Sequence, residues 1–322
     1  MFETPTYNRL TPKLFLEFIR IQAKTASMVP VITGTAWAAY YFGHFNLVNT
    51  IMYFVAQLMI AMFVTGFNNV QDYKLAVDLH YRDTYNMVGV NHLNPKKLYH
   101  LVFWFIGIAA ILGLALVFLT NIFIMFVGGA AMLVSILYTY GPIPFSRYPL
   151  GEVLSGGVEG MGAFFIAVYV NVPTTETARF VLNWPSLDLN MQFANLLAFV
   201  LAAFPLFAYV GNIMFADNMS DVVQDVKNKR YTLPYYLGQK NALTLYGIVA
   251  ILPFVTTIAA VSLHILPIWD LIVILALPIV IKNIKTFRRE QVKETTFLTA
   301  IQNLIIFQAL TVVGLLVGII LK

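Results

Sequence analysis

The sequence predicts an all-α, polytopic membrane protein: nine transmembrane helices in one bundle, with its function on the cytoplasmic face. Three observations lead there. Hydrophobic residues make up 59% of the 322 positions, with a mean hydropathy of +0.76. Only 11% are charged, against roughly 25% in an average soluble domain. The few charges that remain gather on one side of the apolar runs.

A membrane-spanning helix needs about 20 apolar residues. Such runs fall near 22–43, 47–67, 98–119, 121–139, 151–171, 192–215, 242–263, 267–284 and 299–321. The third and fourth are joined almost without a loop at Thr120-Asn121, and the eighth is short and carries Pro267 and Pro278. Residues 1–322 read as a single transmembrane domain. The N-terminal stretch MFETPTYNRLTPKLF is polar and has no small-residue cleavage site, so no signal peptide is expected.

Basic residues set the sidedness, because Lys and Arg are retained on the cytoplasmic side. With the N-terminus inside, only Arg179 and Lys322 of the 20 Lys and Arg fall outside. The expected location is the plasma membrane. The two long connections, 68–97 and 216–241, both become cytoplasmic loops, whereas 172–191 reads as a plain polar connector. With no cysteine, disulfides and thiolate metal sites are excluded, and the five histidines show no ligand spacing.

The cytoplasmic loops carry the chemistry. Asn68-Asn69-x-x-Asp72 and Asp217-Asn218-x-x-Asp221 repeat one pattern, and four predicted crossings separate them. An even number of crossings returns the chain to the same side, so the two elements can face each other. Asp217, Asp221 and Asp225 lie four residues apart and share one helix face, as do Asn68 and Asp72. Like charges at that spacing call for a counterion. An all-oxygen donor set suits a hard cation such as Mg²⁺, which takes one or two carboxylates and completes its shell with water and phosphate. Two facing clusters therefore suggest Mg²⁺ ions holding a diphosphate, with Lys74, Lys227, Lys229 and Arg230 near enough in sequence to neutralise the remaining oxygens.

These residues resemble the UbiA superfamily of intramembrane aromatic prenyltransferases, and most of all its menaquinone-pathway branch, the 1,4-dihydroxy-2-naphthoate polyprenyltransferases. The likeness spans nearly the whole chain. It runs through Leu16-Glu17-x-x-Arg20 leading to Val29-Pro30-Val31-x-x-Gly34-Thr35, then Asn68 to Asp78. It continues through Tyr138-Thr139-Tyr140-Gly141-Pro142-Ile143-Pro144, Gly151-Glu152, and Asp217 to Gly238. Two positions depart: Asn69 stands where the first motif has Asp, and Asp217 where the branch usually has Asn. Val226 and Lys229 also differ from the usual neighbourhood. If the site is merely weakened by Asn69, restoring Asp there is expected to raise activity.

The resemblance implies a UbiA-like bundle with a cytoplasm-facing polar chamber, and transfer there of a polyprenyl chain from its diphosphate to an aromatic acceptor, 1,4-dihydroxy-2-naphthoate in that branch, with Mg²⁺ as cofactor. It assigns metal or diphosphate contact to Asn68, Asp72, Asp78, Asp217, Asp221 and Asp225. The catalytic group is Asp72, Asp221 and Lys74. Substrate contact falls to Arg20, Asn69, Tyr138, Arg147, Lys229 and Arg230, with Arg20 or Arg147 for an acceptor carboxylate. Tyr138, Tyr140 or Tyr73 are the candidates whose aromatic faces would stabilise an allylic cation. Glu159, two turns into the fifth span, reads either as an acceptor contact or as a structural pair. The glycines around it, Gly156 to Gly162, read as a close-packing seam. The run Lys282–Lys293 reads as a topology signal. The competing readings are another acceptor (hydroxybenzoate or a lipid), a non-catalytic prenyl- or quinone-binding homologue, and a transporter.

Overall fold

The structure, a computed structural model, describes residues 7–76, 79–141 and 144–322. The chain is an antiparallel bundle. Helix α1 (Pro12–Phe18) precedes α2 (Ile21–Tyr41) and α3 (Leu47–Leu75). Two short helices, α4 (Leu79–Thr84) and α5 (Met87–Val90), lead to α6 (Pro95–Leu119) and α7 (Phe123–Thr139). Helices α8 (Gly151–Ser155) and α9 (Ala163–Tyr169) are joined by a π-helical stretch, Gly156–Gly162. Then come α10 (Phe193–Lys227), α11 (Leu233–Ser262), a 3₁₀ segment Ile268–Ala276 running into α12 (Leu277–Arg289), and α13 (Leu298–Ile320).

Six of the described helices are long and apolar enough to cross a membrane: Leu47–Leu75, Pro95–Leu119, Gly151–Tyr169, Phe193–Lys227, Leu233–Ser262 and Leu298–Ile320. The protein is a multi-pass membrane protein. Its outer surface fits that role, with Phe118, Trp104 and Ile111 largely exposed where lipid tails replace water as the contacting medium.

Two expectations need correction. The stretches read as motif loops are largely helix. Helix α3 runs on to Leu75 and α10 to Lys227, so both acidic motifs ride on rigid extensions of their helices. The polar connector 172–191 contains a β-hairpin, with β1 (Ala178–Asn183) antiparallel to β2 (Ser186–Met191). The fold is therefore nearly, not wholly, helical. Asn121 fastens this hairpin to the start of α7: its amide donates to the Phe180 carbonyl at 3.0 Å, and its oxygen accepts the Phe180 N–H at 3.1 Å.

The helices are joined by small-residue seams and buried hydrogen bonds, as expected where apolar burial alone does not favour one helix pairing over lipid contact. The Trp37 indole donates to the Ile265 carbonyl at 3.1 Å, Tyr209 to the Ala250 carbonyl at 3.1 Å, and Asn212 to the Tyr246 carbonyl at 3.1 Å. Gly156 and Gly160 lie directly against the α10 backbone. A Cβ at Gly156 would stand 2.4 Å from the Phe207 carbonyl oxygen, and one at Gly160 2.7 Å from that of Leu206. This seam fixes α8 and the π stretch to α10, as the sequence suggested.

Candidate active site

A cavity of about 290 Å³ opens between α2, α3, α7, the π stretch and α10. Its mouth is acidic. Asp72 comes from the end of α3, and Asp217, Asp221 and Asp225 come from one face of α10. Arg20, Asn68, Asn69, Tyr138 and Arg230 line the same space. The two repeated motifs therefore meet at one end of the bundle.

The chain supplies cations for these acids. Lys293, from the α12–α13 connection, reaches between two turns of α10, pairing with Asp217 at 3.0 Å and donating to Asp221. Burial works against this ammonium, yet Asp217 and Asp221 outweigh it and hold its pKa above the usual lysine value. Arg230 pairs with Asp225 at 3.4 Å. It too is held above the ordinary arginine value: burial opposes the charge, but Asp225, Asp72, Tyr138 and Asp217 prevail.

Arg20 enters the cavity from a strained turn. It links α1 to α2 with φ +48° and ψ +64°, a left-handed conformation uncommon for a residue with a side chain. Such strain persists where surrounding contacts enforce it. Here the neighbouring contact is Asn69, whose amide donates to the Phe18 carbonyl at 2.8 Å, while Asn86 donates to the Asn69 carbonyl at 3.1 Å. The equivalent amide in the second motif behaves alike: Asn218 donates to the Glu152 carboxylate at 2.7 Å. The second member of each motif thus ties its helix to a neighbouring segment, and the flanking Asn68, Asp72, Asp217 and Asp221 face the cavity.

Other sequence-selected residues lie elsewhere. Lys74, two residues past Asp72, sits roughly 200° further round the helix, and its ammonium lies 3.8 Å from the centroid of the Tyr99 ring. Lys229 follows the end of α10 in a positive-φ turn and is exposed. Arg147 is exposed on a 3₁₀ turn, within electrostatic reach of Asp72 but not lining the cavity. Tyr73 carries Arg82 over its ring, and Tyr140 packs edge-on to Phe67. Asp78 lies outside the described residues. Tyr138 is at the wall, its hydroxyl 3.2 Å from the Met214 sulfur.

Sequence reasoning missed Lys24 and Lys293, both of which line the cavity. Each was read only as a sidedness signal. A lysine directly inside an apolar span was the available clue for Lys24. Lys293 gave none, because its partners are about 70 residues away in sequence.

The family model described as "UbiA prenyltransferase family" matches residues 27–305. The chain belongs to the UbiA prenyltransferase family. It is a prenyltransferase. Among curated relatives, the 1,4-dihydroxy-2-naphthoate octaprenyltransferase of Bacillus subtilis (strain 168) is 27% identical over 281 residues, covering 85% of this chain and 82% of that protein. The Mycobacterium leprae (strain TN) protein of the same name is 22% identical over 268 residues, 81% of each. A solved UbiA homolog from Aeropyrum pernix K1 superposes with a TM-score of 0.68 at 17% identity, covering 91% of this chain and 98% of that one. One from Archaeoglobus fulgidus, bound to GPP and Mg²⁺, gives 0.61 at 13% identity over 95% and 99%. These structures share the UbiA fold.

Proposed function

We propose that this UbiA prenyltransferase transfers a polyprenyl chain from polyprenyl diphosphate to 1,4-dihydroxy-2-naphthoate. The observation that carries the reading is the convergence of Asp72 with Asp217, Asp221 and Asp225 at one mouth, beside Arg20, Arg230 and Lys293. The names of the Bacillus and Mycobacterium relatives support the acceptor.

The residues present fit Mg²⁺. Among the described residues, no three acids or histidines form a metal-holding cluster by themselves. The mouth does offer carboxylate and amide oxygens from Asp72, Asp217, Asp221 and Asn68, the donor type of an ion that takes one or two carboxylates and leaves its other positions to water and phosphate. The Lys293 ammonium between Asp217 and Asp221 marks where positive charge is already demanded. Asn68, Asp72, Asp217, Asp221 and Asp225, with Asp78 from the sequence pattern, would hold the metal. Bound there, Mg²⁺ supplies charge neutralisation for the departing diphosphate.

The protein's own groups do the rest. Arg20 and Arg230 contact free diphosphate oxygens as their negative charge grows. The deeper walls, including Val64, Val134 and Val158, exclude water that would otherwise capture an allylic cation. Tyr138 offers a ring face to that cation.

We further read nine crossings: the six long helices plus Ile21–Tyr41, Phe123–Thr139 and the 268–289 rod. The chamber faces the cytoplasm and the bilayer is the plasma membrane. The support is that Arg20, Arg230 and Lys293 share the mouth with the acids, as cytoplasmic retention of basic residues requires. Product mass spectrometry on 1,4-dihydroxy-2-naphthoate, a polyprenyl diphosphate and Mg²⁺ tests the assignment. A prenylated, decarboxylated naphthol supports it. Turnover of hydroxybenzoate or a lipid alcohol in its place overturns the acceptor.

A further inference from the structure

We infer that Lys24 and Glu159 form the acceptor end of the cavity, where Glu159 takes the proton of a ring hydroxyl and Lys24 holds the resulting aryl oxide. The inference rests on the prenyl-transfer reading above and narrows its acceptor class to hydroxyarenes.

The two residues lie below the acidic mouth. The Lys24 ammonium donates to the Ala61 carbonyl at 2.8 Å and to the Thr65 hydroxyl. Thr65 precedes Asp72 by two turns of α3, a rise of about 10 Å. On the facing side, the π stretch bearing Glu159 packs against α10 at Leu206 and Phe207, more than two turns before Asp217. A diphosphate gripped at the mouth would leave its first prenyl carbon between the two levels.

The local geometry turns both groups toward a guest. In an α-helix, Glu159 would share a face with Gly156, three residues earlier, and point at the α10 seam. The wider i→i+5 turn takes it off that face, and Glu159 lines the cavity. Such π segments are uncommon and concentrate at functional sites. Lys24 is 5% exposed and uses two of its three N–H donors on Ala61 and Thr65. Lys24 and Glu159 are within electrostatic reach of each other. Yet among the described residues no ion pair within 4.0 Å joins them. A purely structural pair would close to contact. A carboxyl group and an amine held apart in a cavity lined by Val64, Val134 and Val158 together with Ser27, Ser135 and Ser155 instead suit a flat ring bearing an acidic hydroxyl.

The step balances. The ring O–H proton passes to the Glu159 carboxylate. A ring carbon made electron-rich by the aryl oxide bonds to the allylic carbon. The C–O bond breaks, and its electron pair leaves with the diphosphate. The attacked ring carbon then loses its carboxylate as CO₂, or its hydrogen as H⁺, and Glu159 returns its proton to the ring oxygen.

The test uses the purified full chain with Mg²⁺, a non-hydrolysable thio-analogue of the polyprenyl diphosphate and 1,4-dihydroxy-2-naphthoate near pH 7. The bound acceptor is expected to show the red-shifted absorption of the ionised naphthol, and Glu159→Gln to abolish that shift. Glu159→Gln should also lower kcat by about 10²–10⁴-fold, with analogue affinity within twofold of wild type. Lys24→Met should lose the shift as well. If Lys24→Met fails to fold, the wild-type spectrum and Glu159→Gln still decide the matter. A neutral-naphthol spectrum on the wild type, or an unchanged kcat in Glu159→Gln, overturns the inference while leaving prenyl transfer standing. Failure of the wild type to bind the analogue or form product overturns both.

Discussion

Asn69→Asp restores the residue found at this position in the first UbiA motif, and the structure predicts that it harms this protein. The Asn69 side chain is 8% exposed and donates to the Phe18 carbonyl at 2.8 Å. An aspartate has no donor to offer when ionised. The substitution removes one hydrogen bond, worth about 1 kcal/mol, and leaves a buried carbonyl unsatisfied at about 1–3 kcal/mol. It also sets a carboxylate oxygen against that carbonyl. A loss of about 2–4 kcal/mol follows, or a drop in Tm of roughly 4–8 °C at about 2 °C per kcal/mol for a chain of this size. Asn69→Ala should lose less, because it removes the donor without adding an acceptor. Thermal unfolding in detergent, monitored by tryptophan fluorescence, compares the three proteins, with prenyl-transfer assays run on the same preparations. Because the same turn sets Arg20, activity should fall too. An Asn69→Asp protein as stable as wild type, or more active, would refute the reasoning.

Three other predictions follow from the mouth and the seam. Asp72→Ala and Asp221→Ala should each lower prenyl transfer by about 10²–10³-fold, the scale for removing one preorganised electrostatic group, and chelation of Mg²⁺ should abolish it. Lys293→Met should lower the Tm of the metal-free protein and enlarge the Tm rise on adding Mg²⁺, because two carboxylates lose their tethered cation; an unchanged Mg²⁺ response would count against a shared site. Gly156→Ala should destabilise by about 1–3 kcal/mol, since its Cβ would meet backbone 2.4 Å away and α8 could relax only by moving off α10; an unaltered Tm would refute a close-packed seam.

Residues whose chemistry is written locally were legible in the sequence. Asp217, Asp221 and Asp225 share a helix face by spacing alone, and the apolar runs marked where the long helices lie but not how far they extend: α3 and α10 continue past them to Leu75 and Lys227, and α11 begins before its run, at Leu233. The end of the apolar run at Phe67 does not coincide with the end of the helix, because α3 continues through the mostly polar residues Asn68 to Leu75. Roles that depend on a distant partner were hidden. Nothing near Asn69 names Phe18, nothing near Asn218 names Glu152, and Lys293 looks like any juxtamembrane lysine until α10 is folded beside it. The hairpin at 178–191 lay in a stretch read as a polar connector, although its second strand, Ser186 to Met191, alternates polar and apolar residues at the period of a strand; exposed along its whole length, it buries no apolar face.

The balance of charge at the mouth also bears on the order of binding. Four carboxylates, Asp72, Asp217, Asp221 and Asp225, face three cations, Arg20, Arg230 and Lys293. A diphosphate arriving alone would add its own negative charge to a partly desolvated site that already has an excess of anions, which is strongly unfavourable at low effective dielectric. Divalent cations reverse the sign of that step. Lys293 holds Asp217 and Asp221 in this structure, and a metal bound to those acids would free its ammonium for phosphate oxygens. An aspartate at position 69 would deepen the anionic excess, whereas Asn69 keeps the mouth nearer neutrality and spends its amide on holding the Arg20 turn. In this chain the departure from the family motif thus couples the acidic cluster to the arginine that faces it.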